Sequence, residues 1–352
     1  MMVFFENDHC VKCGGQLGFL PDSMAIEALE EKPGEPWLRR AVAGNSRAYR
    51  RCENENQHHI CNWMLFSEDE NGFCLSCRLN KVIPDLAARG NIERWRKLEL
   101  AKKRCLYTLV CLGLPTDELR FQFMASTAPG GTITTGHQAG VITVNIAEAD
   151  DDERERRRIR LHEPYRTLVG HFRHELGHYY WDRLIANSPY HTRFRELFGD
   201  ETSDYASSLE QYYRQGPASD WAQRTVTAYA SAHPWEDWAE TWAHYLHIYD
   251  TLETASGFEL GVASAAGASP VKGDSFDDMF KRWIPLSCAL NCINRGMGLS
   301  DLYPFVIPDA AVNKLRFIHD LIATCKPSGR APAVPTMDVQ PGSANETHAT
   351  NA

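Results

Sequence analysis

The stretch His171-Phe-Arg-His174-Glu175-Leu-Gly177-His178-Tyr-Tyr-Trp-Asp182 decides how the chain is read. It holds the pattern H-E-x-x-H at His174, Glu175 and His178. On an α-helix, residues four apart share a face. His174 and His178 can therefore turn ring nitrogens towards one Zn²⁺ at about 2.0–2.1 Å. Glu175 sits one residue round from the first His. From there it can take a proton from a zinc-activated water without ligating the metal. Tyr165, Leu168, Val169, Phe172, Leu176, Tyr179, Tyr180 and Leu184 line much of the circumference, and a helix apolar nearly all round is buried. Buried polar groups need partners, and one metal accounts for all three. Gly177 costs about 1 kcal/mol relative to Ala in a helix interior, so its missing side chain points to a segment approaching closely. Asp182 is expected to support the site, not to ligate. His171 shares a face with His174, but that pair lacks a following Glu and reads as a decoy.

A catalytic zinc takes three protein ligands and keeps an open position. Two stretches can supply the third. One holds Glu201, in Phe198-Gly-Asp-Glu201. The other, the stronger, is His233-Pro234-Trp235-Glu236-Asp237-Trp238-Ala239-Glu240-Thr-Trp242. Pro234 suits a helix start, and Trp235, Trp238, Ala239 and Trp242 make an apolar face that would bury adjacent carboxylates. Glu236 and Glu240 are one turn apart, so one can ligate while the other orients a ligand His. The helix dipole alone also favours acids at that position.

Upstream, Cys10-Val-Lys-Cys13-Gly14-Gly15 and Cys74-Leu-Ser-Cys77 are Cys-x-x-Cys turns, the knuckles of a zinc ribbon. The favoured set for a structural Zn²⁺ is Cys10, Cys13, Cys74 and Cys77, although the separation between the turns is long for a ribbon. Cys52 or Cys61 replacing one of them, a second site that uses His58 or His59, and free buried thiols are the alternatives. Such a zinc does no chemistry; its contribution is to folding.

The 352 residues allow two or three domains. A hydrophobic content of 43% with 24% charged residues is ordinary for a globular protein. A net charge of −9 gives no support for a nucleic-acid surface, and no apolar run approaches a membrane span. The start, Met1-Met-Val-Phe-Phe-Glu6, shows no secretory signal. The expected location is the cytoplasm, where the 11 Cys serve as metal ligands or buried thiols.

After Pro84, Asn91 can cap a helix running to Gly113, with Glu99 and Lys103 as an i,i+4 pair and Cys105 and Cys111 as core thiols. Residues 119–124 and 140–146 alternate like strands. The second is a candidate to pair with extended substrate, with His137 nearby. The mixed-charge run 150–158 reads as a solvated helix start. Residues 255–273 read as a loop or lid, 276–290 and 311–322 as helices, and Cys288 and Cys292 as core residues. From Lys326 the composition predicts disorder. The resulting fold class is α+β: a zinc-ribbon-like domain over 1–90, then a mainly helical zincin-like metallopeptidase domain with a small sheet over 91–325, then a tail over 326–352.

The order H-E-x-G-H, then a helix with E-x-x-A-E and aromatics, resembles the anthrax lethal factor group of gluzincin-like metallopeptidases. The resemblance implies Glu236 as third zinc ligand and Tyr229, seven residues earlier, as oxyanion donor. From Cys10 to about Cys325 the chain is similar to a bacterial family of zinc-binding metallopeptidases with an N-terminal zinc ribbon. That similarity rests on Cys-Asn-Trp at 61–63, Cys-Leu-Ser-Cys-Arg-Leu-Asn at 74–80, Gly-His-Phe-Arg-His-Glu-Leu-Gly-His-Tyr-Tyr-Trp-Asp at 170–182 and His-Pro-Trp-Glu-Asp-Trp-Ala-Glu-Thr at 233–241. The expected function is zinc-dependent hydrolysis of peptide bonds in a peptide or protein substrate. One catalytic and one structural zinc are expected, with Glu175 as general base. The alternative is a zinc-stabilised binding or regulatory protein, whose ribbon engages a protein partner.

Overall fold

The computed structural model describes residues 3–125 save 32, 36 and 41–46, then 133, 135–154, 156, 167–260 and 275–325. The sequence expectations for a lid over 255–273 and a tail over 326–352 fall wholly or largely outside these residues.

The head is a meander of short strands: β1 (Gln16–Leu20), β2 (Ala25–Glu31), β3 (Leu38–Arg40), β4 (Ala48–Arg51) and, after helix α1 (Glu53–His58), β5 (Met64–Phe66). Each pairs antiparallel with the next. Side chains alternate between faces along a strand. The register therefore gathers Leu20, Leu29, Leu38, Tyr49 and Met64 on one face as a small core of their own. Phe19 on the opposite face stacks on Trp63 at 4.4 Å and belongs to the large core that runs through the rest of the chain.

Next, β6 (Asn80–Val82) leaves the head and joins a second sheet. The long helix α2 (Asn91–Leu112) follows, ending at Gly113 in the left-handed region (φ 73°) that glycine adopts without strain. Asn91 is not its cap: it is the first helical residue, and its amide donates to the Asp85 carbonyl at 2.8 Å. The expected Glu99–Lys103 pair is also different. Glu99 is 2.9 Å from Lys102, and Lys103 turns instead to the head.

The second sheet has the order β6-β7-β9-β8, with β7 at Arg120–Met124, β8 at Gly136–Gln138 and β9 at Val141–Asn145. β6, β7 and β9 are parallel and β8 is antiparallel to β9. The segment expected to pair with substrate is β9, but both of its edges are used. β8, the edge strand beside it, carries His137.

Seven helices described after the sheet complete the fold: α3 (Leu168–Leu184), α4 (His191–Phe198), α5 (Tyr205–Gln215), α6 (Trp221–Arg224), α7 (Pro234–Gly257), α8 (Phe276–Gly296) and α9 (Asp309–Thr324). An antiparallel head sheet, a small mixed sheet and a helical body make an α+β fold. Thr167 caps α3 by accepting from Gly170 N at 3.0 Å. Cys288 and Cys292 are exposed on α8, contrary to the core role expected, because the helix packs through Phe276, Met279, Trp283 and Leu286 instead.

α3 and α7 cross at Gly177. A Cβ there would lie 2.7 Å from Ala239 Cα, and Trp238 Nε1 donates to the Gly177 carbonyl at 2.8 Å. Alanine is the better helix former by about 1 kcal/mol, but forcing two backbones apart in a packed core costs about 1–3 kcal/mol. Gly177→Ala is therefore expected to lower the urea midpoint, and an unchanged midpoint would show that the crossing can relax.

Candidate functional site

α3 presents His174 and His178 on one face, and the first turn of α7 delivers Glu236 opposite them. That turn is fixed by His233, which caps α7 by accepting from Trp235 N at 3.1 Å, and by Pro234 at the first helical position. His174 Nε2 lies 3.2 Å from His178 Nε2 and 3.1 Å from Glu236 Oε2, and His178 Nε2 lies 3.6 Å from Glu236 Oε1. Ligands about 2.0–2.1 Å from a tetrahedral zinc stand roughly 3.3 Å apart, so the donor set fits one ion. One further observation agrees: the buried Glu175 Oε2 has no hydrogen-bond partner, and Glu236 Oε2 has only an ion-pair contact with the His174 ring, a costly state without a cation or water. Burial works to raise the Glu236 carboxyl, but the two imidazoles outweigh it and hold it well below the usual range.

The neighbours of these three groups set their orientation. His174 Nδ1 is 2.7 Å from Glu240 Oε1, and Thr227 Oγ1 donates to Glu240 Oε2 at 2.7 Å. Glu240 thus fixes the ring with Nε2 facing His178 and Glu236. Tyr205 OH, from the start of α5, donates to Glu236 Oε1 at 2.6 Å. The Trp235 ring packs on His178 at 4.5 Å between centroids, and the Tyr229 ring lies 6.0 Å from that of His174. Burial, followed by the Glu236 charge, pushes the Tyr229 phenol well up, so it keeps its proton for donation.

The other candidate carboxylates are engaged elsewhere. Glu201 is held by His191 at 2.7 Å and Arg195 at 2.8 Å, and the Arg195 contact brings its carboxyl down to about 2. Asp237 is buried against Lys314 at 2.5 Å, and burial raises it to about 6. Asp182 is exposed, 3.8 Å from His137 Nδ1.

Glu175 is buried beside the three-residue group. Its Oε1 lies 3.3 Å from His171 Nε2, and His171 Nδ1 is 2.5 Å from Glu148 Oε2. Burial works against a charged His171, but the two carboxylates outweigh it and push it up to about 9. Ligand spacing marks His171 as a decoy, and its position here is beside Glu175 and Glu148 instead. Glu148, Tyr205 and Thr227 were missed altogether, since each acts through another residue and none belongs to a spaced motif.

The cysteines sort differently from the expectation. The sulfurs brought together are those of Cys52, Cys61, Cys74 and Cys77, all buried. Cys61 Sγ is 3.6 Å from both Cys74 Sγ and Cys77 Sγ, and Cys74 N donates to Cys52 Sγ at 3.4 Å. Zinc–sulfur bonds of about 2.3 Å place tetrahedral sulfurs roughly 3.8 Å apart, so this set also fits one ion. Cys10 and Cys13 are a separate pair, 3.2 Å apart, outside that group. The reason lies in the strands. Cys52 directly follows β4 and Cys61 leads into β5, and the pairing of β4 with β5 carries both to the 74–77 turn. Lys103, reaching from α2, donates to the Ile60 carbonyl at 3.1 Å. Burial works against its charge, and the neighbouring sulfurs, Cys61 first, outweigh it and push Lys103 up.

A family model described as "Putative zinc-binding metallo-peptidase" matches residues 91–321, and one described as "zinc-ribbon domain" matches residues 1–88. The chain belongs to that metallopeptidase family. Proteins of Mycobacterium bovis and Mycobacterium tuberculosis, each named only as an uncharacterized protein, are 42% identical over 333 residues, covering 92% of this chain and 93% of theirs. No solved structure matches the chain.

His244, one turn beyond Glu240 on α7, shows what burial does to an imidazole held neutral. Its Nδ1 meets Tyr303 OH at 2.6 Å. Burial, partly offset by Glu240 and aided by Arg173, lowers it to about 4. The unfolded chain, with an imidazole near 6.5, binds this proton more readily. The associated stability is therefore present above pH 6.5 and lost as pH falls through 4, about 3 kcal/mol in all. His244→Gln is expected to flatten the dependence of the urea midpoint on pH between 6.5 and 4. An unchanged slope would assign that acid sensitivity to other groups.

Proposed function

We propose that this family member is a zinc-dependent peptidase that hydrolyses peptide bonds in a peptide or protein substrate. The observation that carries the reading is the buried group of His174, His178 and Glu236 with the unpartnered Glu175 Oε2 beside it. Zinc held by those three residues would supply Lewis acidity, polarising a carbonyl and making water a usable nucleophile near neutral pH. Glu175 takes the proton from the attacking water and delivers it to the leaving amine nitrogen. Tyr229, in the role implied by the lethal factor resemblance, donates to the carbonyl oxygen as it gains charge. Glu240 and Tyr205 hold His174 and Glu236 in place.

Under the same proposal a second, structural zinc sits on Cys52, Cys61, Cys74 and Cys77. Residues 1–90 act as the ribbon domain and 91–325 as the peptidase, with 326–352 as a tail. No described helix is long and apolar enough to cross a membrane. The proposed location is the cytoplasm, where thiols stay reduced and available to zinc. Metal analysis of purified protein is expected to give two zincs per chain, one of which is lost in His174→Ala. Cleavage of a peptide library should stop when that zinc is removed. A single zinc that survives His174→Ala, or cleavage indifferent to its loss, would remove the basis for the reading.

A further inference from the structure

We infer that His171, anchored by Glu148, is a positioning residue that fixes the Glu175 carboxylate with one oxygen bound and the other free. The inference rests on the reading of Glu175 as the proton-accepting group. His171 and Glu175 are four residues apart on α3 and so share a face. Both nitrogens of the His171 ring face carboxylate oxygens: Nδ1 lies 2.5 Å from Glu148 Oε2 and Nε2 lies 3.3 Å from Glu175 Oε1. The side chains of Glu148 and Glu175 are 2% and 6% exposed, so neither carboxylate can rely on water for orientation.

Glu148 is itself held. It lies on the 3-10 turn Ile146–Ala149 that follows β9. Thr135 Oγ1 donates to its Oε1 at 2.6 Å. Asn145 caps the turn by accepting from Ala147 N at 3.0 Å, and its amide donates to the Ile133 carbonyl at 3.0 Å. The anchor is thus tied to the end of β9, and the ring links that turn to α3.

The consequence concerns one atom. With Oε1 facing His171, Oε2 is the Glu175 oxygen left without a partner, and it is the one available to a reacting water. A glutamate has three rotatable bonds, and a displacement of about 1 Å at a reacting group can cost around 10²-fold in rate. Outer residues that orient a metal-site group typically change activity by about 10–100-fold when removed.

The test uses the full-length, zinc-loaded chain and the variants His171→Ala, Glu148→Gln and Glu175→Gln. On peptide hydrolysis, His171→Ala and Glu148→Gln are expected to lower kcat about 10–100-fold with KM changed less than about twofold and the zinc count unchanged. Combining either with Glu175→Gln should add no further loss, because both act through Glu175. A role confined to folding would instead lower zinc content or active fraction and would add to Glu175→Gln. Independently of activity, proton NMR should show a low-field His171 ring N–H signal that vanishes in His171→Ala and shifts in both Glu148→Gln and Glu175→Gln. If His171→Ala does not fold, Glu148→Gln carries both readouts.

A kcat unchanged in Glu148→Gln, or a ring signal indifferent to Glu175→Gln, would overturn the inference. If Glu175→Gln itself leaves hydrolysis intact, the reading of Glu175 as the proton-accepting group fails, and the NMR coupling still decides whether His171 positions Glu175.

Discussion

Glu175→Gln is expected to lower peptide hydrolysis by about 10³–10⁴-fold while leaving both zincs bound. The magnitude is the upper part of the range for a positioned acid–base group, because the substitution removes both of its proton transfers. The amide that replaces the carboxylate keeps the shape of the side chain but cannot take a proton from water. Zinc retention follows from geometry: the group that could hold the ion is His174, His178 and Glu236, and Glu175 is not among them. His174→Ala is the contrasting case, since it removes a donor and with it the metal. The measurement is a steady-state rate on a cleaved library peptide, beside metal analysis of the same sample. Hydrolysis at the parental rate in a zinc-replete Glu175→Gln protein would transfer the proton chemistry to another group. The neighbouring carboxylates are then the ones to examine, although Glu240 is committed to His174 and Thr227, and Glu201 to His191 and Arg195.

The parts of this site that could be read from the sequence are those governed by local spacing. His174, Glu175 and His178 are fixed relative to one another by helical geometry, and Gly177 announced the close crossing with α7. The first turn of α7 could be read from Pro234 and its aromatic face, and the structure brings Glu236 to the histidines. What could not be read depends on pairing between distant segments. The grouping of Cys52 and Cys61 with Cys74 and Cys77 follows from β4–β5 pairing, and nothing in a Cys-x-x-Cys pattern reports it. Lys102 and Lys103 both lie within reach of Glu99 along α2. The choice between them is made by what each meets outside the helix, Asn80 and Ser76 for Lys102 and the Ile60 carbonyl for Lys103. The edge position of β8 is a property of the whole sheet, and a three-residue strand leaves almost no pattern to find. Glu148 escaped for the same reason: its link to His171 spans 23 residues and a strand-to-helix connection.

Cys61→Ala is expected to unfold the head and to weaken the helical body with it. Cys61 sits between Cys74 and Cys77, 3.6 Å from each, so its loss leaves three sulfurs and an open side in a site that the proposal treats as closed. A structural zinc of this kind contributes on the order of 10 kcal/mol to folding, comparable with the whole net stability of a typical domain, about 5–15 kcal/mol. The head's own strands are short, and its separate core is only Leu20, Leu29, Leu38, Tyr49 and Met64. The damage should not stop there. Lys103 is 1% exposed, and the sulfurs, which zinc would hold as thiolates, and Glu99 are the groups that offset its charge. A buried ion whose partners are removed costs about 3–5 kcal/mol, and this one is carried by α2, which packs on α3. Lys103→Met should therefore destabilise less than Cys61→Ala, because an apolar chain of similar length needs no counter-charge. Cys10→Ala, outside the cluster, should destabilise least of the three. Limited proteolysis, with zinc counted in the same preparations, reads the order directly. Cys61→Ala should lose one zinc and be cut within residues 1–90, whereas Cys10→Ala should keep that zinc. The reverse order would mean that the ribbon metal is held by the Cys10–Cys13 turn, and that the buried sulfurs around Lys103 are packing alone.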